Sequence, residues 1–374
     1  MIMFDRRLLL NFGWSLFLMT LAFAALSLIN LYSASYQTGL GYFKKQAVWV
    51  CIGVISMIIV SFINNKLIKR YALYIYGFSI LLLLSVFVFG KVVAGAKAWI
   101  TIGNFATIQP SELAKIPIIL ALARFYDNDY EGMPYSLLEL VKPLLLVALP
   151  LALVMLQPDL GTSLTIVLTC GSIILFVGVE KKSILLILAV VIGFSYPAWH
   201  YFMKPYQKER IINLLEPSND PLDTGYNAIQ SRIAVGSGRL TGKGFMSGSQ
   251  TQLRFIPAQQ TDFAFSVFAE EWGFLGSFLA LLLYFIIILW ILDTASRSKD
   301  KFSVIVCFGI AAMYFWHIFI NAGMVIGIFP ITGVPFLLMS YGGSSTLSTL
   351  IGIGIVLGIR MRKFPMHGAA LDLK

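Results

Sequence analysis

The sequence predicts an all-α polytopic membrane protein with about ten transmembrane helices, and two observations carry that prediction. Of the 374 residues, 58% are hydrophobic and only 12% are charged, whereas a soluble domain usually carries about 25% charged residues. The apolar residues also lie in long, nearly uncharged runs. A run of about 20 residues at ~1.5 Å per residue crosses a ~30 Å hydrocarbon core, so these runs are typical of spanning helices.

Ten apolar runs follow one another along the chain, at residues 12–34, 46–64, 71–90, 111–126, 141–157, 161–179, 183–203, 263–292, 302–328 and 343–360. The fourth, fifth and tenth are short or polar at one end, which a membrane tolerates where a helix lines a cavity. The first continues past Leu31 without a convincing cleavage site, so we expect a retained helix and not a signal peptide. No soluble domain is evident, so residues 1–374 are predicted to form a single integral membrane domain.

Lysine and arginine residues are distributed unevenly between the two sets of connecting segments. With the N-terminus inside, sixteen of them fall in one set and only four in the short loops of the other. Because cytoplasmic loops carry the excess of Lys and Arg, we expect both termini in the cytoplasm. Residues 204–262 then form a large extracytoplasmic loop between helices 7 and 8. Any chemistry must therefore lie in the membrane or on its outer face.

The formal net charge of +10 would raise the question of nucleic-acid binding in a soluble protein. Here no basic stripe with interleaved aromatic residues is visible, and we set aside a nucleic-acid partner. The three cysteines, Cys51, Cys170 and Cys307, lie far apart inside apolar runs and are interpreted as small core residues. The three histidines are scattered, so they predict no histidine-based metal site.

The fourth run opens with a polar motif that extends from Gln109 to Lys115. Residues three apart share one face of a helix, so Glu112 and Lys115 can pair. A charge at membrane depth costs about 2.5–3.5 kcal/mol on insertion scales, and intramembrane ionisable groups therefore point to function. An ion pair that only locks two helices together is the structural alternative.

Two single carboxylates lie where polar turns meet apolar helices. Asp159 belongs to the turn from Gln157 to Thr162, and Asp262 directly precedes the eighth run. Either residue could cap the helix that follows it, which is an ordinary role for Asp. Asp262 could instead be a carboxylate in a half-dry site, where burial raises its pKa toward that of a useful base. The spacing leaves both alternatives open.

The predicted outer loop contains a glycine-rich stretch from Gly225 to Phe245 that also carries Arg232, Arg239 and Lys243. Glycine-rich backbone can turn its N–H groups toward an anion, and nearby basic side chains favour phosphate. The spacing is not that of a nucleotide-binding P-loop, because Lys243 is followed by Gly and not by Ser or Thr. No nucleotide is implied. A flexible solvated loop is the structural alternative.

The ninth run carries His317 and Asn321, and two segments rich in Pro, Gly and Ser follow it, from Pro330 to Pro335 and from Ser340 to Ser345. Prolines and a Gly-Gly pair at membrane depth indicate broken backbone that faces a cavity.

These motifs together resemble the SEDS family (shape, elongation, division and sporulation). The motifs that carry the resemblance are Gly95 to Ile100, Gln109 to Lys115, Gln157 to Thr162, Thr261 to Phe263 and Met339 to Ser345. They occur in order, so the resemblance covers nearly the whole chain. The stretch from Gln250 to Pro257 and the short tails resemble the rod-elongation branch of the family.

The resemblance implies a ten-helix enzyme of the bacterial cytoplasmic membrane whose active site faces the extracytoplasmic side. Such an enzyme polymerises lipid II, an undecaprenyl-pyrophosphate-linked disaccharide-pentapeptide, into peptidoglycan strands for cell elongation and rod shape. The resemblance also implies a class B penicillin-binding protein as the transpeptidase partner, within the elongation machinery. A lipid II flippase and a non-catalytic scaffold for a transpeptidase are the alternatives.

The resemblance assigns a role to Asp262 in particular, as the base that deprotonates the acceptor sugar hydroxyl. It implies that the further substrate-binding or cavity residues are Glu112, Lys115, Asp159, Arg210, Arg232, Arg239, Lys243, Gln259 and Ser344. Many relatives have His where this chain has Gln260, which argues against a required imidazole beside Asp262. A departing pyrophosphate needs Arg, Lys or a divalent cation. A Mg²⁺ or Mn²⁺ requirement stays open, since no complete ligand set is visible.

Overall fold

The computed structural model describes residues 11–93, 96–102, 106–129, 134–216 and 224–362. Gly95 and both chain termini, whose cytoplasmic position was predicted, lie outside the described residues. The helices are α1 Trp14–Ser35, α2 Gly41–Phe62, α3 Asn65–Phe89, α4 Pro110–Asn128, α5 Val141–Leu156, α6 Leu160–Val177, α7 Lys181–Pro197, α8 Pro205–Leu215, α9 Thr224–Ser237, α10 Ser249–Gln252, α11 Ala264–Ser296, α12 Lys301–Ile326 and α13 Gly343–Met361.

Each predicted apolar run overlaps one of these helices, so the helical membrane architecture is confirmed. Among the described residues, eight helices are long and apolar enough to cross a membrane, and they are α1, α2, α3, α6, α7, α11, α12 and α13. The other two runs correspond to α4, which begins with charged residues, and α5, which has only 16 residues. The count of ten spans therefore stays a prediction.

A small antiparallel sheet connects α3 to α4, and no local pattern in the sequence predicted it. Its strands are β1 Lys91–Val93, β2 Ala96–Ile102 and β3 Ala106–Ile108, in the order β1-β2-β3. Lys91 pairs with Trp99, and Ile100 pairs with Ile108. The described part of the segment 204–262 is likewise not a structureless loop, because it contains α8, α9 and α10.

The outer surface of the helices is apolar, as expected for a protein that lipid surrounds. On α7, Leu185, Val190 and Ile192 are each more than 60% exposed, at 65%, 61% and 64%. The interior contains a cluster of aromatic rings in which Tyr284 packs against Phe23 with ring centroids 5.1 Å apart. Buried polar groups lie both near the ends of the helices and, as with His317 and Asn321, within them, and several of them build the site described below.

The described ends of several helices meet on one side of the molecule, which we call the basal face. Here α1 begins where α13 ends, since a Cβ on Gly13 would lie 2.9 Å from Arg360 Cδ. Lys69 forms an ion pair with Asp127, whose carboxylate also accepts a hydrogen bond from the Phe302 backbone N–H at 3.2 Å. The described chain thus enters and leaves on the same face, as an even number of crossings requires. The opposite side, where α1 ends and α11 begins, is called the site face.

Helix α11 is broken at Gly273, whose φ of 66° and ψ of −164° are not helical. The turn 239–244 occupies the break. Its carbonyls at Arg239 and Leu240 accept the N–H groups of Phe274 and Leu275 at 2.8 and 3.0 Å. Its N–H groups at positions 243 and 244 donate to the carbonyls at positions 270 and 271, both at 3.0 Å. The outer segment therefore satisfies backbone groups that the break exposes.

Candidate active site

Asp262 lies on the site face immediately before α11, and it does not cap that helix. Phe263 occupies the cap position, without a side-chain hydrogen bond. The Asp262 backbone carbonyl accepts a hydrogen bond from Asn321 Nδ2 at 2.9 Å. Gly333, at φ 73°, lies beside the carboxylate, because a Cβ on it would be 3.7 Å from Asp262 Oδ2. Asp262 is half-buried, so its carboxylate has no structural role as a cap and stands at the edge of the site.

Electrostatics at Asp262 favour a stronger base than an ordinary carboxylate. Burial raises the pKa of Asp262, while the positive charge of Arg210 and a hydrogen bond with the Thr261 side chain lower it, and the net direction is upward. Burial disfavours the charged form because the carboxylate loses water contacts. Helix α8 supplies Arg210, so the fold brings two predicted site residues that are 52 positions apart into one electrostatic environment.

Arg232 on α9 is the second cation of this region. It lines a small pocket together with Arg210 and Asn213. Gly327, at φ 82°, makes room for the guanidinium, because a Cβ there would lie 2.2 Å from Arg232 Nε. Arg232 Nε and Nη2 are buried and have no hydrogen-bond partner among the described residues. Buried donors without partners are costly, so this guanidinium is suited to an anionic ligand.

Helix α9 is held in place by a buried hydroxyl. Ser231 Oγ is 2.8 Å from Ser266 Oγ, and it donates to the Val325 carbonyl, also at 2.8 Å. These bonds tie α9 to the start of α11 and to the end of α12. The backbone next to Arg232 is thereby fixed relative to Asp262.

The two other predicted cations have different surroundings. Lys243 forms an ion pair with Glu270 Oε1 at 2.7 Å and also donates to Ser249 Oγ at 2.8 Å. Glu270 is fully buried and accepts the backbone N–H of Thr251 as well, at 3.0 Å. Arg239 is exposed, and its carbonyl takes part in the α11 break. The structure therefore separates these two residues from the pair formed by Arg210 and Arg232.

Glu112 and Lys115 form the ion pair that their spacing predicted, and both side chains are buried. Lys115 Nζ lies 2.8 Å from each carboxylate oxygen of Glu112, and 2.8 Å from His317 Nε2. His317 Nδ1 is 3.1 Å from the Pro335 carbonyl. Because an ammonium only donates and a carbonyl only accepts, the imidazole is neutral with its proton on Nδ1. The predicted pair is thus a three-residue cluster.

Asp159 caps the helix that follows it, as the structural alternative in the sequence analysis predicted. Its Oδ1 accepts the Thr162 backbone N–H at 3.1 Å at the start of α6, and its Oδ2 accepts from Gln109 Nε2 at 2.7 Å and Ser111 Oγ at 2.9 Å. Ser344 Oγ in turn accepts the Gln109 backbone N–H at 2.8 Å. These bonds join the beginnings of α4, α6 and α13, so Asp159 and Ser344 organise the framework of the site.

Gln259 is buried and connects the segment before α11 to α1, because its Nε2 donates to the Ala34 carbonyl at 2.8 Å. The Nε2 of Gln260, the position at which the resemblance implies His in many relatives, also donates to the Ala34 carbonyl, at 3.2 Å. The Gln260 carbonyl accepts the Tyr341 N–H at 2.8 Å. Neither amide is placed against the Asp262 carboxylate by these bonds.

His317 and Asn321 are two site residues to which the motifs assigned no role. Asn321 Nδ2 donates to the Val334 carbonyl at 2.8 Å as well as to Asp262. Both residues are fully buried in α12, four positions apart and hence on one face. That spacing of polar side chains inside an apolar helix is the signal that could have identified them.

The sequence leaves open whether the site uses a Mg²⁺ or Mn²⁺ ion. In the part of the chain that the structure describes, no group of three or more His, Cys, Asp and Glu side chains lies close enough together to hold a metal ion. Mg²⁺ commonly binds through only one or two carboxylates together with substrate phosphates. The Mg²⁺ or Mn²⁺ requirement therefore stays open.

Comparison with known proteins identifies relatives along nearly the entire chain. The family model of FtsW, RodA and SpoVE, described as cell cycle protein, matches residues 13–364. The peptidoglycan glycosyltransferase MrdB of Escherichia coli (strain K12) is 38% identical over 350 residues, which is 93% of this chain and 93% of the relative.

Solved structures show the same architecture. A chain from a study of the structural coordination of polymerization and crosslinking by a peptidoglycan synthase complex matches with a TM-score of 0.82 and 30% identity, covering 95% of this chain and 99% of that chain. The crystal structure of the Thermus thermophilus rod shape determining protein RodA matches with a TM-score of 0.70 and 26% identity, covering 94% and 98%. The resemblance predicted from the motifs is confirmed.

Proposed function

The chain belongs to the FtsW, RodA and SpoVE family of cell cycle proteins, and from that premise we propose that it is a peptidoglycan glycosyltransferase that polymerises lipid II for cell elongation and rod shape. The observation that carries the proposal is the half-buried Asp262 carboxylate in the field of Arg210, with the unpartnered guanidinium of Arg232 in the same region. One base and two cations are what transfer of a sugar from a diphosphate requires.

In the proposed reaction, Asp262 accepts the proton of the acceptor sugar hydroxyl as that oxygen attacks the anomeric carbon of the donor. The glycosidic C–O bond forms, the bond between the anomeric carbon and the diphosphate oxygen breaks, and the configuration inverts. The electron pair leaves with undecaprenyl pyrophosphate. Arg210 and Arg232 stabilise the negative charge that develops on this leaving group.

A divalent cation is the other means of neutralising a departing diphosphate. Among the described residues, no group of three or more His, Cys, Asp and Glu side chains lies close enough together to hold a metal ion. In the proposed reaction the two arginines carry that charge stabilisation.

We place the reaction on the extracytoplasmic side of the membrane. The lysine and arginine distribution predicts that the basal face is cytoplasmic, and Asp262 lies at the opposite end of the bundle. The proposed partner is a class B penicillin-binding protein that crosslinks the product. The similarity to a chain of a complex that coordinates polymerization and crosslinking supports this partner.

The decisive experiment is polymerisation of purified lipid II by protein in liposomes. Wild type should produce glycan ladders, and Asp262→Ala and the isosteric Asp262→Asn should produce none, because both lack the base. Asp293→Ala is the matched control. Asp293 is an acid at the basal end of α11, the helix that Asp262 precedes, and it pairs with Arg297 and Arg360.

Each outcome separates the candidate functions. Normal polymerisation by Asp262→Ala would contradict the catalytic assignment. Translocation of labelled lipid II without polymer would support a flippase instead. Binding of the transpeptidase without either activity would support a scaffold.

A further inference from the structure

Two buried residues of α12 connect parts of the site that are distant in the sequence. We propose that His317 and Asn321 are positioning residues that couple the buried Glu112–Lys115 pair to Asp262 through the backbone of Val334 and Pro335. This inference rests on the proposed function, because its main measurements are rates of polymerisation. Neither residue is a catalytic residue in the proposal, since each acts through Asp262.

The first step of the coupling is the bond network of His317. Its ring bridges Lys115 Nζ at 2.8 Å and the Pro335 carbonyl at 3.1 Å. The ring is fully buried, so water does not compete for these bonds. Among the described residues, the Lys115 ammonium donates to Glu112 and to His317, and this contact keeps the imidazole in a single tautomer. The position of the Pro335 backbone is therefore linked to the ion pair.

The second step is the bond network of Asn321, one helical turn further along α12. Its side-chain amide donates to the Val334 carbonyl at 2.8 Å and to the Asp262 carbonyl at 2.9 Å. One NH₂ group thus holds two chain segments together. Val334 and Pro335 are consecutive, so two side chains of α12 bind adjacent carbonyls of the segment 333–335.

The segment 333–335 also lies beside the Asp262 carboxylate. A Cβ on Gly333 would lie 3.7 Å from Asp262 Oδ2, so the backbone at Gly333 forms one wall beside the reacting group. A shift of the segment would change both the space around the carboxylate and the direction in which it points. The Glu112–Lys115 pair can thereby affect the rate through this backbone segment.

The experiment compares two buried asparagines that make the same kind of bond. Asn321→Ala removes the donor to the Asp262 and Val334 carbonyls. Asn30→Ala removes a donor to the Ala264 carbonyl at 2.9 Å, from a residue that is also fully buried. We expect Asn321→Ala to lower kcat by about tenfold or more with little change in KM, because misplacement of a reacting group acts on the chemical step. Asn30→Ala should change kcat by less than about threefold at a comparable loss in Tm.

A double-mutant cycle then tests the coupling itself. Lys115→Met and Asn321→Ala should be non-additive, so that the double variant loses less kcat than the product of the separate losses. Lys115→Met and Asn30→Ala should multiply. In a His317→Gln background, the amide still accepts from Lys115 but no longer reaches Pro335, and the non-additivity should disappear.

Three results would overturn the proposal in an enzyme that is otherwise active: equal kcat for Asn321→Ala and Asn30→Ala, simple multiplication of the Lys115 and Asn321 effects, or unchanged coupling in His317→Gln. If wild type forms no glycan, the proposed function fails instead. If Asn321→Ala does not fold, hydrogen exchange of the peptide 331–341 in Lys115→Met decides the question. Exchange must exceed that of wild type, and equal exchange contradicts the coupling.

Discussion

The Asp262 carboxylate combines burial, which makes it a better proton acceptor, with a neighbouring cation that favours its charged form. Burial raises its pKa, and Arg210 and the Thr261 hydroxyl oppose that change. A general base is most useful when its pKa approaches the working pH. The net effect raises the pKa of Asp262 above its ordinary value, with burial as the largest cause.

The pH dependence of polymerisation should report this carboxylate. The base acts when deprotonated, so kcat should fall as pH decreases through the raised pKa, above the usual range near ~4 for a free carboxyl. Arg210→Gln removes the lowering effect and should move this limb to higher pH, whereas Arg210→Lys should move it less. The measurement is the pH profile of kcat in liposomes, and a limb that moves to lower pH in Arg210→Gln would contradict the assignment.

At this scale, the sequence predicts contacts that are local. The Glu112–Lys115 pair follows from helix geometry alone, since residues three apart share a face. The cap made by Asp159 is also a local pattern. His317 lies 202 positions from Lys115, and no spacing rule connects them, because that contact depends on how α4 and α12 pack.

Among the elements, α11 departs most from regular geometry. The break at Gly273 needs a residue without a side chain for two reasons. Its φ of 66° and ψ of −164° belong to a region that is essentially limited to glycine. A Cβ there would also lie 2.2 Å from the Gly242 nitrogen.

Gly273→Ala should therefore destabilise the protein by at least ~1–3 kcal/mol, and the clash with the turn 239–244 adds to that cost. The matched control is Gly171→Ala in the helical interior of α6, where nothing lies within 4 Å of an added Cβ. That change should be neutral or stabilising by up to ~1 kcal/mol. Thermal unfolding in detergent compares the two, and equal Tm values would show that the break is not constrained.

Hydrophobic run length predicts elements well in this chain because a membrane imposes a minimum length on every spanning helix. The break in α11 is invisible to that criterion, since residues 263–292 count as one apolar run in spite of Glu270 and Glu271 just before Gly273. The strands β1 to β3 are missed for a different reason. They are only three to seven residues long, too short to produce a recognisable alternating pattern.

The whole molecule has two chemically different ends. The basal face carries Lys69, Arg297, Arg360 and Arg362 near the helix ends. The site face carries Asp262 together with Arg210 and Arg232. Those two cations belong to the long segment 204–262, and long segments count little in the charge rule. The uneven distribution of Lys and Arg between the short loops predicts the orientation in the membrane. The structure shows which residues lie together on each face.

Cysteine labelling in a Cys51→Ser background should reveal that orientation, because Cys51 is the exposed native cysteine, whereas Cys170 and Cys307 are buried. An impermeant maleimide should label Ser247→Cys on intact spheroplasts. Lys299→Cys, on the basal face, should react only after permeabilisation. The reverse result would place the site face in the cytoplasm and exclude the proposed reaction there.

The insertion of the turn 239–244 into α11 has a consequence for any exchange of parts between relatives. Four backbone hydrogen bonds connect that turn to the two halves of the helix. The turn and the helix α11 therefore form one structural unit. A chimaera that grafts the segment alone would pair donor and recipient backbones that never folded together. Functional grafts should require both stretches, 239–244 and 264–275, to be transplanted as one unit.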